Sequence, residues 1–521
     1  MTTTPLIDPE RLTMADIRAG ALRDRPITVL GFARSGIALA RFLADSGAAV
    51  TIYDGRPAEA LVDAITALEG RSVALALGPD VDPRTVLSGA ALVTTSPSIN
   101  PDYPTTEPRL RAALAALVAA RAGGDRSVPA LVSEPDLFLR LCVAPTIGVT
   151  GTKGKTTTSS LAAAILAADP AHPAVLGGNI GVPLVERLPD LTPDHRVVYE
   201  LSELQLPTLS RGTTVAVYTT VTSDHLDRHG SLEAYRAVKR RLAELVEVDG
   251  ALVLNAEDGI VAAYAAWAAV PVVQYRREQP LPGGLGVVDG WIVAADVGRL
   301  AQAGGGVAAT GLGGRIMPVG ELAVPGAHNI SNALAAVAVG LLFGIESAAI
   351  RAAAAAFTGV EHRLETVAVI DGVRFVNDSQ GTQPDAVIAA LRSFEAPLVL
   401  IAGGRDKGVD LDALGPVVAE RAAAAVVIGE SGPDLERRFR AAGLATVERA
   451  ISMDDAVTRA DALARAALEG PNGAIHGPAT VLLSPAAASF DMFTDYAARG
   501  RAFRTAVAAL ADARAQARRD E

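Results

Sequence analysis

The chain has 521 residues, half of them apolar, so it can bury the cores of about two to four ordinary domains. Its formal net charge of −11 argues against a general nucleic-acid binder, while a local basic pocket for an anionic small molecule stays open. A single cysteine, Cys142, excludes an internal disulfide and fits a reducing compartment. The N-terminus lacks the apolar segment of a signal peptide, and no apolar run reaches the ~20 residues that span a bilayer. We therefore expect a cytoplasmic protein with no membrane insertion.

The first part of the chain reads as a parallel, doubly wound sheet. Residues 26–36 (PITVLGFARSG) predict a buried strand with a glycine turn, followed by a helix and a second strand at 48–54. A further strand at 91–99 ends in a Ser/Pro loop. Alternating strands and helices favour an α/β sheet. The turn GFARSG resembles a weak dinucleotide fingerprint, with Ala33 in place of its middle glycine.

Two more α/β regions follow a polar break near residues 121–127. In the first of them we predict strands at 196–201 and 214–221, a helix at 157–168, hairpins across the glycine-rich 280–320, and a long alanine-rich helix starting after 328–332. In the second we predict strands at 373–378, 397–404, 424–430 and 479–485. The predicted domains are therefore 1–128, 129–358 and 359–521.

A glycine-rich segment, GVTGTKGKTTTSS (148–160), lies between a predicted strand and a predicted helix. Backbone N–H groups in such a turn bind phosphate oxygens, and Lys155 and Thr156 would contact phosphate and Mg²⁺. The general pattern G-x-x-x-x-G-K-[ST] does not fit, because Val149 stands where its first glycine belongs. The alternative is a glycine turn that caps an ordinary helix.

Three further polar features follow in the middle region. Glu200 ends a predicted strand, where a carboxylate can hold Mg²⁺ or simply face solvent. The segment 221–230 (VTSDHLDRHG) concentrates two histidines and two aspartates, including His225, which suits metal or acid–base chemistry as well as a charged loop. Lys239 lies in an amphipathic helix, where its position alone indicates a surface lysine.

Polar loops also follow three strands of the last region. They are VNDSQGTQPDA (376–386), IAGGRDKG (401–408) and LLSPAAASFD (482–491). Loops at the carboxyl ends of one parallel sheet meet in a shared crevice, so we predict a site there.

Taken together, these motifs resemble the Mur ligase family over nearly the whole chain after the first ~20 residues. Its loop G-x-T-G-T-x-G-K-[ST] matches 148–156, and its D-H-x-D-R…K stretch matches the segment around His225 and Lys239. GGNIG (177–181), YELSELQL (199–206), GAHNISNALAA (326–336), EHRLE (361–365) and AGGRDK (402–407) recur in the same order.

The resemblance implies three domains: an N-terminal Rossmann-like domain for the UDP substrate, a central P-loop ATPase-like domain with a mixed sheet, and a C-terminal Rossmann-like domain. It implies an ATP-dependent amide ligase that adds D-glutamate to UDP-N-acetylmuramoyl-L-alanine through an acyl phosphate, with ATP and two Mg²⁺ ions. These small molecules are the implied partners, and we expect a monomer that binds no nucleic acid.

The resemblance also implies residue roles. The catalytic set is Lys155, Glu200, His225, Lys239 and Lys407. ATP would be held by Gly151, Thr152, Lys153, Gly154, Lys155, Thr156, Thr157, Asn332, Arg363 and Asp378. The UDP substrate would be bound by Arg34, Ser35, Asp54, Arg56, Ser96, Asn100, Asn179, Ser202 and Gln205. Glutamate would be bound by Thr382, Lys407, Ser489 and Phe490. The metal ligands would be Thr156, Glu200, His225 and a carbamylated Lys239.

The sequence departs from the family pattern at a few positions. Lys153 replaces a frequent asparagine, Glu203 replaces a serine, and Gln380 stands where a lysine is usual near the amino-acid substrate. Because of the change at Gln380, the sequence does not decide whether the substrate is D-glutamate or L-glutamate. The other interpretations are another Mur ligase, a folylpolyglutamate synthase-like ligase, a nucleotide-sensing regulator and a nicotinamide dehydrogenase. The synthase would lack an N-terminal UDP-binding Rossmann-like domain, so residues 26–120 argue against it. A regulator without catalytic activity would not need the intact set Lys155, Glu200, His225 and Lys239.

Overall fold

The computed structural model describes residues 5–222, 231–300, 307–324, 326–405, 411–468 and 478–520. These residues form two compact units, 1–357 and 358–521, and the first unit contains two separate sheets. The architecture confirms the predicted α/β class with three sheets in chain order. Among the described helices, none is long and apolar enough to cross a membrane.

The first sheet is entirely parallel, with strand order β3-β2-β1-β4-β5. Its strands are β1 (Pro26–Leu30), β2 (Ala49–Asp54), β3 (Ala74–Leu77), β4 (Leu92–Thr95) and β5 (Leu131–Ser133). Its helices, with the short N-terminal one, are α1 (Met14–Arg18), α2 (Arg34–Asp45), α3 (Val62–Thr66), α4 (Pro83–Leu87), α5 (Pro108–Ala122) and α6 (Glu134–Leu141). The strand order reverses between β1 and β4, so the loops after these two strands border the crevice where such sheets bind ligands.

The second sheet has nine strands in the order β14-β13-β12-β11-β10-β9-β6-β8-β7. The parallel part comprises β6 (Thr146–Thr150), β7 (Ala174–Gly178), β8 (Arg196–Glu200), β9 (Val215–Tyr218), β10 (Ala251–Asn255) and β11 (Val272–Tyr275). It continues into β12 (Leu285–Val288), β13 (Trp291–Leu300) and β14 (Val307–Pro318). These last three pair antiparallel, which confirms the predicted hairpins in the glycine-rich segment.

The helices of the second sheet are α7 (Lys155–Leu166), α8 (Leu232–Glu244), α9 (Gly259–Ala263), α10 (Ala327–Leu342) and α11 (Ser347–Ala356). Every residue from 332 to 342 of α10 is buried, as expected of a helix that is apolar on all sides. The prediction that this helix starts after residue 332 is wrong. It begins at Ala327, because Asn329 and Asn332 share one face and bond to each other across the first turn (Nδ2 to Oδ1, 3.1 Å).

The second unit contains a six-stranded sheet in the order β15-β16-β20-β17-β18-β19. Its strands are β15 (Glu365–Ile370), β16 (Val373–Asn377), β17 (Leu398–Gly403), β18 (Ala424–Ile428), β19 (Val447–Arg449) and β20 (Ala479–Leu483). Its helices are α12 (Pro384–Arg392), α13 (Leu414–Arg421), α14 (Gly432–Ala441), α15 (Met453–Leu468) and α16 (Tyr496–Asp520). Strands β16, β20 and β17 are parallel neighbours, so their three polar loops do lie at one edge, as predicted.

Candidate active site

The glycine-rich turn between β6 and α7 has a backbone that only glycine fits. Gly151 and Gly154 adopt φ values of +145° and +87°, in the region that side chains rarely enter. A Cβ on Gly151 would lie 2.0 Å from Thr219 Oγ1, and one on Gly154 would lie 2.4 Å from Asn332 Oδ1. The turn therefore runs directly into the N-terminus of a 12-residue helix, an arrangement that favours bound anions.

The predicted phosphate-binding side chains lie on this turn. The Lys155 ammonium folds back and donates to the carbonyl oxygens of Gly151 (3.0 Å) and Thr152 (2.9 Å). Thr156 is buried, and Thr157 is half-buried. Thr152 Oγ1 lies 2.9 Å from the hydroxyl of Tyr235 in α8. The sequence motifs did not predict Tyr235 as a residue of this site.

Glu200 is buried at the end of β8, where it pairs in register with Val149 of β6. Its Oε1 accepts a hydrogen bond from Asn179 Nδ2 at 2.9 Å. Its Oε2 is buried and has no hydrogen-bond partner among the described residues. Since a buried carboxylate oxygen without a partner is costly, this atom fits a cation that prefers oxygen ligands, such as Mg²⁺.

Lys239 is fully buried, so the surface location indicated by its helix position alone is wrong. Its Nζ donates to the carbonyl oxygen of Gly151 at 3.1 Å and lies 3.4 Å from Thr150 Oγ1. The ammonium also lies 5.5 Å from the ring centroid of Tyr235, one helical turn earlier. The structure thus brings Lys155 and Lys239 to the same carbonyl oxygen, because α8 turns its buried face towards the loop.

Asn332 joins the same region from α10. Its Oδ1 accepts a hydrogen bond of 3.3 Å from Thr158 Oγ1 and lies against the glycine at position 154. Within the part of the chain that is described, no three His, Cys, Asp or Glu side chains form a metal-binding group. The predicted ligand His225, in 223–230, and Lys407, in 406–410, lie outside the described residues.

The loop after β8 carries Ser202 and Gln205, both buried. Gln205 Oε1 accepts from the backbone N–H (2.8 Å) and the hydroxyl (3.0 Å) of Ser202, which closes the loop. Tyr103, in the loop after β4 of the first sheet, donates to the carbonyl oxygen of Leu204 at 3.3 Å. This loop is therefore anchored beside the first sheet.

Arg34 connects the glycine turn of the first sheet to the loop that carries Asn179. Its guanidinium donates to the carbonyl oxygens of Gly178 (3.1 Å), Asn179 (3.2 Å) and Gly181 (3.2 Å). Ser35 follows it, half-buried, in the first turn of α2. Two predicted UDP-site residues, Arg34 and Asn179, are thus neighbours.

The other predicted UDP-site residues follow β2 and β4. Asp54 accepts from the Phe32 amide (2.9 Å) and from the backbone and guanidinium of Arg56. Partial burial opposes ionisation of Asp54, but these hydrogen bonds outweigh it and hold its pKa below the usual value. Ser96 Oγ lies 3.2 Å from Ser98 Oγ, and the side chain of Asn100 accepts from the Asp102 amide within its own loop.

In the second unit, Asp378 is buried between the loops after β16 and β20. Its carboxylate accepts from Ser484 Oγ (2.7 Å) and the Leu364 amide (3.2 Å), and burial raises its pKa to about 6. The neighbouring Arg363 is exposed. In the next loop, Ser489 is buried, whereas the Phe490 side chain is 64% exposed.

Arg499, in the first turn of α16, is a site residue that the sequence analysis missed. It is fully buried and donates to Ser379 Oγ (3.0 Å) and to the carbonyl oxygens of Ser379 (2.9 Å), Ala487 (3.2 Å) and Ala488 (3.2 Å). Burial lowers its pKa to about 10. Arg499 therefore ties the loop after β16 to the loop after β20. No local pattern separates it from the other arginines of this helix.

Gln380 and Thr382 lie in the loop that Arg499 holds. Gln380 Nε2 donates to the carbonyl oxygen of Glu361 at 3.2 Å, and the Gln380 backbone N–H donates to the carbonyl oxygen of His362. Thr382 is half-buried. At the position where the family usually has lysine, the amide is therefore bound to the main chain of residue 361.

Comparison of the sequence with known proteins identifies the family. Residues 149–340 match the Mur ligase middle domain, and residues 362–487 match the Mur ligase, glutamate ligase domain. The UDP-N-acetylmuramoylalanine--D-glutamate ligase of Symbiobacterium thermophilum is 39% identical over 94% of this chain and 100% of its own. That of Pelotomaculum thermopropionicum is 37% identical over 93% of this chain and 98% of its own.

A solved structure agrees on the fold. MurF from Acinetobacter baumannii superposes with a TM-score of 0.50 at 14% identity, covering 93% of each chain. The sequence likeness, spread over nearly the full length of both relatives, shows that this protein belongs to the Mur ligase family, among the UDP-N-acetylmuramoylalanine--D-glutamate ligases.

Proposed function

We propose that this protein is an ATP-dependent ligase that joins the amine of D-glutamate to the carboxylate of UDP-N-acetylmuramoyl-L-alanine, with release of ADP and phosphate. One observation carries the proposal: Lys155 and Lys239 donate to the same carbonyl oxygen of Gly151, and the buried Glu200 ends the strand that pairs with Val149, two residues before it. The relatives that match along their whole length carry this activity in their names.

The proposed reaction has two steps. A carboxylate oxygen of the UDP-sugar peptide attacks the γ-phosphorus, whose bond to the bridging oxygen breaks to give an acyl phosphate and ADP. The unprotonated glutamate amine then attacks the acyl carbon, and phosphate leaves. Because the first step brings a carboxylate to a phosphate and the second develops negative charge on the acyl oxygen and the leaving phosphate, we assign charge stabilisation to the backbone amides of residues 151–157 and the Lys155 ammonium.

Mur ligases use ATP and Mg²⁺, and the donor set here fits that metal. Bound Mg²⁺ would neutralise phosphate charge. We propose that Thr156, Glu200, His225 and a carbamylated Lys239 hold two ions. The buried Glu200 Oε2, which lacks a hydrogen-bond partner among the described residues, supports this assignment.

Carbamylation gives a chemical reason for a lysine buried at position 239. Reaction of its amine with CO₂ replaces an ammonium by one N–H and two carboxylate oxygens. The N–H would keep a donor for the Gly151 carbonyl, which Nζ now contacts at 3.1 Å. The new oxygens would become metal ligands, which a cation cannot be.

We propose that the remaining residues bind the substrates. The UDP-sugar would lie against Arg34, Ser35, Asp54, Arg56, Ser96, Asn100, Asn179, Ser202 and Gln205. The nucleotide would also contact Asn332, Arg363 and Asp378, and glutamate would contact Thr382, Lys407, Ser489 and Phe490. Because the Gln380 amide bonds to the main chain, we assign recognition of the glutamate side-chain carboxylate to Lys407.

The substrates are soluble small molecules, so we propose a cytoplasmic enzyme that acts as a monomer on free UDP-linked precursor. The three domains would be 1–128, 129–358 and 359–521, each with its own substrate group.

The decisive experiment is ADP release measured with UDP-N-acetylmuramoyl-L-alanine and either glutamate isomer. We expect ADP and the amide product with D-glutamate and none with L-glutamate. Glu200→Gln should keep the fold and reduce turnover at least 100-fold, since it removes a charged metal ligand. Absence of ADP release with both isomers would refute the proposed reaction, and release with L-glutamate alone would reverse the stereochemical assignment.

A further inference from the structure

Three neighbouring strands of the second sheet, β6, β9 and β10, run parallel and end at the same edge. The first is followed by the glycine-rich turn and the second by residues 219–222. The chain continues from there into 223–230, which lie outside the described residues and carry the proposed metal ligand His225. The loop after β10 lies at the same edge, but the proposed reaction uses none of its residues.

Residues 219–222 are bonded to the glycine-rich turn. Thr219 Oγ1 donates to the carbonyl oxygen of Lys153 at 2.6 Å, and the Thr222 amide donates to Thr152 Oγ1 at 3.1 Å. Both ends of the segment are thus attached to the turn. A displacement of the segment would therefore move the turn and the chain that leads to the proposed ligand.

The carboxylate of Asp258, in the loop after β10, binds this segment at Val221. Its Oδ2 accepts from the Val221 amide at 2.7 Å, a contact between residues 37 positions apart in sequence. Its Oδ1 accepts from the amides of Ile260 (3.0 Å) and Val261 (3.2 Å), and so caps helix α9. Within the parts of the chain that the structure describes, no lysine or arginine pairs with this carboxylate.

Capping of α9 alone does not account for an aspartate at position 258. A serine or threonine cap would supply the one oxygen that the amides of α9 need. The second oxygen serves Val221, whose side chain is buried. Because a charged acceptor makes a stronger hydrogen bond than a neutral one, this oxygen fixes the backbone at Val221.

The other end of α9 contacts helix α8, which carries Lys239. The hydroxyl of Tyr264, directly after α9, donates to the carbonyl oxygen of Arg236 at 3.0 Å. The Tyr264 ring packs edge-on against Tyr218 with 5.1 Å between centroids, and the Tyr218 hydroxyl donates to the carbonyl oxygen of Lys239 at 2.6 Å. One short helix thus joins the two segments that lead to proposed metal ligands.

We infer that Asp258 is a positioning residue for the reaction, whose carboxylate fixes the segment that leads to His225 relative to the helix that carries Lys239. It acts through the backbone of Val221 and through the cap of α9. The inference rests on the proposed function, because it takes His225 and Lys239 as metal ligands.

The test uses Asp258→Ser and Asp258→Thr, which keep a helix cap but lack the second oxygen. Asp82→Ser is the matched control, because Asp82 caps another five-residue helix, α4, by accepting from the Arg84 amide at 3.0 Å. Four quantities are measured for each variant: amide hydrogen exchange, the melting temperature, the Mg²⁺ dependence of ATP binding by calorimetry, and steady-state kinetics.

In both Asp258 variants, the Val221 amide should exchange about tenfold faster, while the Val261 amide keeps its protection. The Mg²⁺ concentration that gives half-maximal ATP binding should rise about tenfold and kcat should fall by a similar factor, with the KM for the UDP substrate within about twofold of the wild type. Asp82→Ser should change none of these values. A role in stability alone would lower the melting temperature and leave the Mg²⁺ dependence unchanged.

Unchanged Mg²⁺ dependence and kcat in both Asp258 variants would overturn the inference, as would equal changes in Asp82→Ser. Unchanged exchange at Val221 would overturn it too, since the hydrogen bond would then not hold the segment. Failure of the proposed function is distinguishable. The wild type would then release no ADP, whereas hydrogen exchange and ATP binding need neither glutamate nor the UDP-sugar.

Discussion

Glu200 and Lys239 are buried ionisable side chains beside the same glycine-rich turn between β6 and α7. Their partners explain why the residue types matter. Glu200 leaves one oxygen without a hydrogen-bond partner among the described residues, and Lys239 donates to a carbonyl that Lys155 also uses. Burial of such groups costs free energy, so their presence indicates chemistry and not packing.

Replacing Lys239 by alanine should lower turnover at least 100-fold, because it removes the site of carbamylation. Added short carboxylic acids should restore part of the activity by supplying oxygen ligands in the vacated space. Lys239→Arg should be equally inactive but show no rescue, since its side chain fills that space. Steady-state turnover with and without acetate or formate measures both effects. Full activity of the alanine variant would exclude the carbamate.

Asp378 should make the second unit less stable as pH rises. Burial raises its pKa to about 6 in the folded protein, against an ordinary value of 3.8, so the folded state binds more protons between these two pH values. The contribution of Asp378 to stability is then largest below about pH 4 and is lost as pH rises to about 6, by about 3 kcal/mol in all. Urea unfolding of the wild type and Asp378→Asn from pH 4 to 7 measures this. A difference between the two that does not change with pH would contradict it.

At the scale of elements, the site depends on how strands end and helices begin. The turn from β6 to α7 is held by contacts from two other elements, the segment after β9 and helix α10. The loops after β16 and β20 are held by one arginine from α16. Each site loop is therefore fixed by a residue far away in sequence.

Gly151→Ala should abolish nucleotide binding and destabilise the first unit by about 2 kcal/mol. The added Cβ would overlap Thr219 Oγ1, and the backbone conformation would be strained. Gly259→Ala is the matched control, because a Cβ added at this position would meet no atom within 4 Å and its φ lies outside the left-handed region. ATP titration and thermal melting of both variants provide the comparison. Equal behaviour of the two would show that the turn tolerates a side chain.

Arg499→Met should destabilise the second unit by about 3 kcal/mol and raise the KM for glutamate more than that for ATP. The substitution leaves the carbonyl oxygens of Ser379 and Ala487 without the donor that Arg499 supplies, while Ala488 keeps the Arg405 backbone N–H. Arg501→Met, at an exposed position on the same helix, should alter stability by less than about 0.5 kcal/mol. Chemical unfolding and steady-state kinetics of both variants test the role. A fall in stability with unchanged KM values would reduce Arg499 to a structural residue.

At the scale of the whole molecule, the chain divides into two compact units with separate cores. The proposed phosphate-binding turn lies in the first unit, and the predicted glutamate pocket lies in the second. Unfolding of such a chain need not be two-state.

We expect two unfolding transitions, of which ATP raises that of the first unit more, because the proposed phosphate contacts lie in that unit. At 100 times its Kd, a ligand that binds only the folded state stabilises it by about 2.7 kcal/mol. Calorimetry with and without ATP measures the shift, and Lys155→Ala should abolish it. One transition that ATP leaves unmoved in the wild type would contradict the expectation.

Local pattern was sufficient for the α/β class, the three sheets and the position of the glycine turn, because strand and helix periodicity and glycine spacing are short-range properties. The order of the motifs along the chain was sufficient to predict the family. Burial was not predictable from the same patterns: Lys239 reads as a surface residue, and Arg499 reads like any arginine of its helix. The partners of Glu200, Asp378 and Arg499 lie 11 or more residues away in sequence. Such contacts arise only when distant segments pack, so they had to come from the folded chain.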